Sequence, residues 1–461
     1  MPASRQTVGP RKLRLLIMKR RATRSAIPGP LNRFGRHIVS CLAILLAIVI
    51  CGCERYHEAP VSADHSEIEV WMHASTEEEG KTFQDQVAHF NAAQYEVRVN
   101  AVILPANSYD VQVRDAAGSG TLPDMLEFDG PFVYEFIDRG LLIPIDKLLT
   151  DEARMDLLPS VISQGMYDGR IYAIGTTESA LGIYARRSEL LHAGVRIPAS
   201  PQDAWSPREF NEVLERLARA DADGAVLDLR LNRDGRWLVD AVLPLIQSVG
   251  VNLVNSDHQI TTQGTLNSDE VVTALQLLQD WKRRGFIEKD RDDDAFVSGR
   301  VPLSWGTGAD YPQYAAAWGD DLLVLPLPNF GSGSRTTPTS WTWGISTHCK
   351  NVRGAMTFLE YLLRTEEVLA ISRANGDVPA RRAAIVKSDA YSDKGPLHML
   401  AWQLASDSSS PLKTPRYEIL SDELQKALSR ILAGDDVKRT LDAAAAAIDR
   451  RSVETVQAQP R

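Results

Sequence analysis

Glu67-Ile68-Glu69-Val70-Trp71-Met72 opens the part of the chain that decides its fold. Ile68, Val70 and Met72 stand at every second place, so one side of an extended segment is apolar, as a strand packed on one face requires. Ser75 or Thr76 then offers a hydroxyl to cap a helix, with Glu78 or Glu79 three residues on to complete a capping box. Phe83, Val87 and Phe90 follow at i, i+4 and i+7, the spacing of one buried helical face. Val97-Arg98-Val99 predicts a second strand, and Val111 to Ala117 a second helix ended by Gly118. After Leu122-Pro123-Asp124, the run Met125-Leu126-Glu127-Phe128-Asp129 reads as a strand entering a turn at Gly130. A short helix around Phe132–Asp138 closes on Gly140. Strand and helix alternate, which argues a largely parallel sheet flanked by helices.

The middle of the chain repeats this logic with longer helices. Pro207-Arg208-Glu209 starts one that runs to Ala220, and Val271, Ala274, Leu275, Leu278 and Trp281 stripe another before Gly285. Late in the chain Val352–Arg364, Ser421–Leu432 and Val437–Ile448 are amphipathic, with Gly434 between the last two. No repeat of fixed period is visible. The length favours two α/β halves with shared crossovers over one large sheet.

Charge narrows the partners. The chain has 51 Lys and Arg against 60 Asp and Glu, but ten of the basic residues and none of the acids lie in residues 1–52. Residues 53–461 therefore carry 41 basic against 60 acidic side chains, a formal −19. So acidic a body is a poor partner for nucleic acid or an anionic lipid surface, and suits small neutral or cationic ligands. With 44% hydrophobic residues it can fill two cores.

The basic opening leads into Ile38–Ile50, thirteen uncharged and mostly apolar residues, and then Cys51-Gly52-Cys53. A basic segment, an apolar segment and a small residue form a secretory signal, and thirteen residues fall short of the roughly 20 that a membrane-spanning helix needs. Ile50-Cys51-Gly52-Cys53 resembles the lipobox of bacterial lipoproteins. Ile50 fits its aliphatic place, whereas Cys51 departs from the usual Ala, Ser or Thr. The resemblance implies that residues 1–52 are removed and Cys53 is lipidated, leaving the protein anchored on the outer side of the cytoplasmic membrane or in the periplasm. Met18, followed by Lys19-Arg20-Arg21, is a second candidate start. Residues 53–66 read as a flexible tether, 54–66 being polar with one proline. Cys41 and Cys51 leave with the signal, so Cys349 alone remains beside Cys53 and no internal disulfide is expected.

Several segments then fall in a telling order. They are Ile68-Glu69-Val70-Trp71, Gly118-Ser119-Gly120-Thr121-Leu122-Pro123-Asp124, Phe128-Asp129-Gly130-Pro131, Asp168-Gly169-Arg170-Ile171-Tyr172-Ala173 and Ser179-Ala180-Leu181-Gly182-Ile183-Tyr184. Further on come Phe296-Val297-Ser298-Gly299-Arg300, Trp341-Thr342-Trp343-Gly344-Ile345-Ser346 and Pro379-Ala380-Arg381. In this order they resemble the family 1 extracellular solute-binding proteins of carbohydrate ABC importers, the group of maltose-binding protein, over nearly all of residues 67–450. The resemblance implies a type II periplasmic-binding-protein fold of two α/β lobes joined by hinge crossovers, with the ligand between them. It places residues 67–176 and 324–370 in lobe one, 177–323 and 371–450 in lobe two, and leaves 451–461 as a polar tail. It further implies a monomer without enzymatic activity or cofactor, whose partners are a sugar, the permease subunits and, through the lipid, the membrane.

A sugar cleft needs carboxylates, which accept hydroxyl protons in charge-assisted bonds, beside aromatic rings that cover C–H faces. Asp129 ends a strand, where ligand sites of open α/β sheets lie. Its plainer reading is a cap on the helix at Pro131. Glu178 matches a ligand-contacting Glu of the family at the first crossover, against the plainer reading of an exposed hinge carboxylate. His73 and Ser75 correspond to polar cleft positions but differ in residue type from maltose-type sites. Trp305 and Asp310 lie in the segment Leu303–Asp310, where relatives in the family have a Gly-Trp pair that this chain lacks, so the resemblance gives the role to one or the other. Trp341 and Trp343 alternate and so point to one side of a strand, one of them toward ligand. Arg381 is the family's loop arginine, or else a surface salt bridge.

Asp221-Ala222-Asp223-Gly224 opens like a calcium loop but lacks the later acidic positions, so it reads as a helix-ending turn and no metal is expected. The competing functions are a glycoside hydrolase using Asp129 and Glu178 as paired carboxylates, and the same receptor taking a glycerol phosphodiester or polyamine.

Overall fold

Alternating burial in β1 (Ser66–Ala74) founds the first sheet, with Ile68, Val70 and Met72 fully enclosed and Glu67 and Glu69 in solvent. The structure is a computed structural model describing residues 66–233, 236–255, 257–289, 293–336, 341–407 and 412–458. The signal segment, Cys53 and the tether to residue 65 lie outside the described residues. Thr76 caps α1 (Glu77–Ala93) by accepting the N–H of Glu79 at 3.1 Å, while the Glu79 carboxylate takes the N–H of Ser75 at 2.8 Å. The expected box thus closes one residue early. β2 (Val97–Pro105) runs parallel to β1. α2 (Ala106–Ser119) begins five residues before the pattern suggested and ends at Gly120 rather than Gly118. Gly120 carries the left-handed φ of +71° and returns its N–H to the carbonyl of Ala116. β3 (Met125–Asp129) pairs parallel with β1, Val70 opposite Met125.

The hairpin Met166–Ile171 turns through Asp168 and Gly169, both at positive φ, the conformation of a tight two-residue turn. β4 (Ala173–Ile174) follows, and Thr177–Glu178 then pairs with Val378–Pro379 as a crossover. The second sheet comprises β5 (Gly182–Arg186), β6 (Leu227–Asp228), β7 (Leu303–Gly306) and β8 (Leu322–Leu325), in the order β8-β5-β7-β6. Around it pack α3 (Pro207–Ala220), opened by a Ser206–Glu209 capping box, the apolar α4 (Trp237–Ser248) and α5 (Asp269–Arg283). The chain returns as β9 (Trp341–Ile345), which enters the first sheet antiparallel between β3 and β4 and gives the order β2-β1-β3-β9-β4. α6 (Val352–Leu362) and α7 (Thr365–Asn375) cover this sheet, and α8 (Tyr417–Ala433) and α9 (Val437–Ala458) pack on α4 and α5.

Two lobes therefore share one chain: Phe83, Trp343 and Phe358 are enclosed with the first sheet and Phe210, Trp281 and Trp305 with the second, and the first of these apolar clusters continues into Tyr184, Phe296 and Tyr314 of the second lobe. The expected lobe boundaries shift. Residue 324 lies inside β8, hydrogen-bonded to β5 in the second sheet, so the return to the first sheet comes after Leu325. At the other end, residues 378–387 stay with the first lobe. The N–H of Leu158 bonds the carbonyl of Ala380 at 2.9 Å, and Arg382 donates to the carbonyls of Met155 and Leu157. Asp221 takes the N–H groups of Asp223 and Gly224 on one oxygen, an Asx turn that ends α3. Among the described residues no helix is long and apolar enough to cross a membrane.

Candidate functional site: the interlobe cleft

The parallel strands β1 and β3 end at one edge of the first sheet, and that edge carries His73, Asp129 and Trp341. Asp129 and Trp341 are direct partners across the β3–β9 ladder. The Trp341 ring lies flat on the His73 imidazole, with centroids 3.6 Å apart and 8° between planes, and meets Tyr109 edge-on at 5.2 Å. Trp341 is half-buried. Beneath it His73 is 3% exposed, with Nδ1 2.8 Å from a Glu127 oxygen and Nε2 3.5 Å from Glu79. Burial pulls the imidazole pKa down, but Glu127 and then Glu79 more than reverse this and push it up to about 10. At neutral pH the platform under Trp341 is an imidazolium. Ser75 is exposed at the same edge.

The facing wall is the loop after β6, where Arg230, Arg233 and Arg236 stand three residues apart before α4. Arg230 has a left-handed φ of +54° and is 3% exposed. Its guanidinium is held by Asp310 and by the Tyr314 hydroxyl at 3.2 Å. Arg233 takes the same Asp310 oxygen at 2.7 Å and lies over the Trp237 ring. Arg236 reaches out of the second lobe to pair with Asp129 of the first. Phe132 lies beneath that guanidinium, 4.6 Å from its centre, and Tyr417 meets the Phe132 ring edge-on.

Around Arg236 stand two further carboxyls. Burial pushes Asp240 up to about 7, with Arg236 pulling back and Asp129 adding to the rise. Asp110 is pushed up to about 6 by burial and by Asp129. Asp129 thus joins the Trp341 indole on the neighbouring strand and the Arg236 guanidinium of the other lobe, a carboxylate, a cation and a flat ring of the kinds that bind hydroxyls and a C–H face.

The other expected residues stand elsewhere. Glu178 is fully buried in the crossover pair, with Ser160 donating to one oxygen and the other unpartnered. Burial, with the nearby Asp377, pushes its pKa up to about 8, so it is a protonated carboxyl of the hinge and not a ligand-facing anion. Trp305 is enclosed in the second core with its Nε1 on the carbonyl of Ala241 at 3.2 Å, because β7 is an inner strand covered on both faces. Trp343 fills the first core, edge-on to Phe83. Asp310 is consumed by Arg230, Arg233 and the N–H of Thr307. Arg381 clamps Asp156 at 2.6 Å and the carbonyl of Leu363. Asp129 and Glu178 do not face each other as a hydrolytic pair, since one is at the cleft edge and the other inside the hinge. Arg236, Phe132, Asp110 and Asp240 escape a reading of the sequence alone. Three arginines at even spacing ahead of an apolar helix, in so acidic a body, are the signal that could have found them.

Comparison with known proteins agrees with this architecture. A family model described as bacterial extracellular solute-binding protein matches residues 85–397. The crystal structure of a cyclic α-maltosyl-1,6-maltose binding protein from Arthrobacter globiformis superposes with a TM-score of 0.71 at 21% identity, covering 84% of this chain and 98% of that one. The sugar-binding protein MalE of Xanthomonas citri gives 0.73 at 15% identity, over 86% of this chain and 100% of its own. A protein of Streptomyces antibioticus named as a lipoprotein is 23% identical over 365 residues, 76% of this chain and 77% of that protein.

Proposed function

The chain belongs to the bacterial extracellular solute-binding proteins, and from that premise we propose that it is the receptor of an ABC importer, taking a sugar or oligosaccharide into the interlobe cleft. Its lobes close on the ligand by hinge motion, and it hands the ligand unaltered to the permease subunits. Cys53 carries the lipid that keeps it on the outer side of the cytoplasmic membrane or in the periplasm, and it works as a monomer without cofactor. The first lobe takes residues 67–176 and the return from β9 to about residue 387. The second takes the intervening chain with α8 and α9. The ligand lies against Trp341 and Asp129, with Ser75 beside them and His73 acting from beneath the indole.

One observation carries this reading. Trp341 turns one face to a fixed imidazolium and stands opposite Asp129 on the neighbouring strand, at the cleft edge. A flat apolar surface beside a carboxylate matches the two-sided chemistry of a sugar ring. The many similar solved structures named for oligosaccharides favour the same class.

The test is a thermal-shift screen of residues 54–461 against mono-, di- and oligosaccharides, glycerol phosphodiesters and polyamines. A ligand that binds only the folded state raises the melting temperature by mass action. A shift with one sugar class, the sugar recovered intact, is expected, as is its loss in Trp341→Ala. Shifts with a phosphodiester or polyamine alone overturn the ligand class, and recovery of cleaved sugar overturns the receptor role.

A further inference from the structure

Arg236 belongs to the second lobe, since it immediately precedes α4 and that helix is embedded in the second core. Its guanidinium nevertheless ends on Asp129, the last residue of a first-lobe strand, and lies on the ring of Phe132 from the same lobe. Arg114 of α2 approaches the Phe132 ring at 5.1 Å and pairs at 2.8 Å with Glu418 of α8. Farther along, His258 at the second lobe's surface stacks on Tyr167 at 3.9 Å and bonds Asp168 at 2.9 Å. The two lobes are thus fastened by the protein's own side chains. The centre of the seam falls on a residue to which the proposed function gives the ligand's hydroxyls.

The geometry points to Arg236 as an interlobe latch, a guanidinium that holds the closed form through Asp129 and with which any ligand bonding Asp129 must share that carboxylate. Specificity follows for ligands that can donate to Asp129 beside a cation, which favours neutral hydroxyls over ammonium groups. The latch pair is only 28% and 20% exposed at its two side chains, so solvent screens it less than a surface pair. Asp240 and Asp110 also stand near Arg236, and its guanidinium draws each of them toward the charged form against their burial, so the cation is better placed in the seam than swung into water. Its bearing on ligand choice rests on the proposed function; the latch itself does not.

The test needs no ligand. In the chain from residue 54 with Cys349→Ser, spin labels are placed at Tyr95→Cys and Leu191→Cys, one exposed position in each lobe, and the interlobe distance distribution is measured by pulsed electron paramagnetic resonance. Wild type is expected to populate a closed distance. Arg236→Gln is expected to lower the closed-to-open ratio at least about fivefold, the equivalent of one charge-assisted pair. Asp129→Asn should do the same, and the double variant no more than either alone. Arg208→Gln, which removes an exposed pair with Glu212 on α3, should change nothing. A wild type without a closed population overturns the latch, as do single variants that leave the distribution unmoved or effects that multiply. Should Arg236→Gln not fold, Asp129→Asn removes the same pair from the other side and decides the question by itself. Failure of the sugar reading would appear separately, as a panel in which no sugar moves the melting temperature.

Discussion

Replacing His73 by glutamine isolates the charge beneath Trp341. In the folded protein this imidazole keeps its proton to about pH 10, whereas in the unfolded chain it titrates near about 6.5. The folded state therefore binds the extra proton between those values. The stability it confers is fully present below about pH 6.5 and is lost as pH rises toward 10, at about 1.4 kcal/mol per pH unit. From pH 7 to pH 10 the wild type should lose on the order of 4 kcal/mol through this one group. His73→Gln has no such slope. At pH 7 it should be less stable by about 3–5 kcal/mol, because Glu127 and Glu79 are left in the interior without their cation. Urea unfolding of both proteins at pH 7, 8, 9 and 10, followed by circular dichroism, reads the difference, in which the titrations of groups not coupled to His73 cancel while those of Glu127 and Glu79 are retained. The gap should narrow steadily with pH. A gap that stays constant, or widens, refutes the assignment of an imidazolium to this site.

Three further substitutions probe the hinge and the first lobe. For Glu178 the slope has the same sign, since a carboxyl whose folded pKa is raised to about 8 also loses stability as pH rises from about 4.5 toward that value; here it is the removal of the group that stabilises. Glu178→Gln should match wild type near pH 5 and exceed it by on the order of 2–4 kcal/mol at pH 8 in the same unfolding assay; equal stability at both pH values would count against a protonated hinge carboxyl. Gly165 packs so close to β4 that a methyl group there would stand 1.7 Å from the carbonyl oxygen of Ala173. Gly165→Ala should therefore cost more than about 3 kcal/mol, while Gly118→Ala, in open space within α2, should be neutral or stabilise by up to about 1 kcal/mol. Similar melting temperatures for the two would contradict the packing described.

Where a pattern is local, the residues announce the fold well. β1, α1, α3 and α5 follow from their periods and caps, because an alternating or 3.6-fold apolar series has one way to bury itself. What stays hidden is pairing over distance. Nothing in Trp341–Ile345 declares that it enters between β3 and β4, and nothing ties Arg236 to Asp129, 107 residues earlier. The tryptophans illustrate the limit. Trp305, Trp341 and Trp343 are alike as letters, but Trp305 lies on an inner strand and Trp343 well inside the sheet, whereas Trp341 lies at its edge. Burial on both faces is a property of neighbours. Glu178 misleads for the same reason, since its enclosure comes from Ser160 and the returning Val378 strand.

The insertion of β9 between β3 and β4 also has a temporal consequence. During synthesis, β1 to β4 emerge long before residues 341–345 exist, so β3 and β4 must wait with open hydrogen-bonding edges facing one another across an empty lane. Such edges invite pairing with other chains, and closing a loop of this span is slow. The first lobe can be finished only after the second has been made.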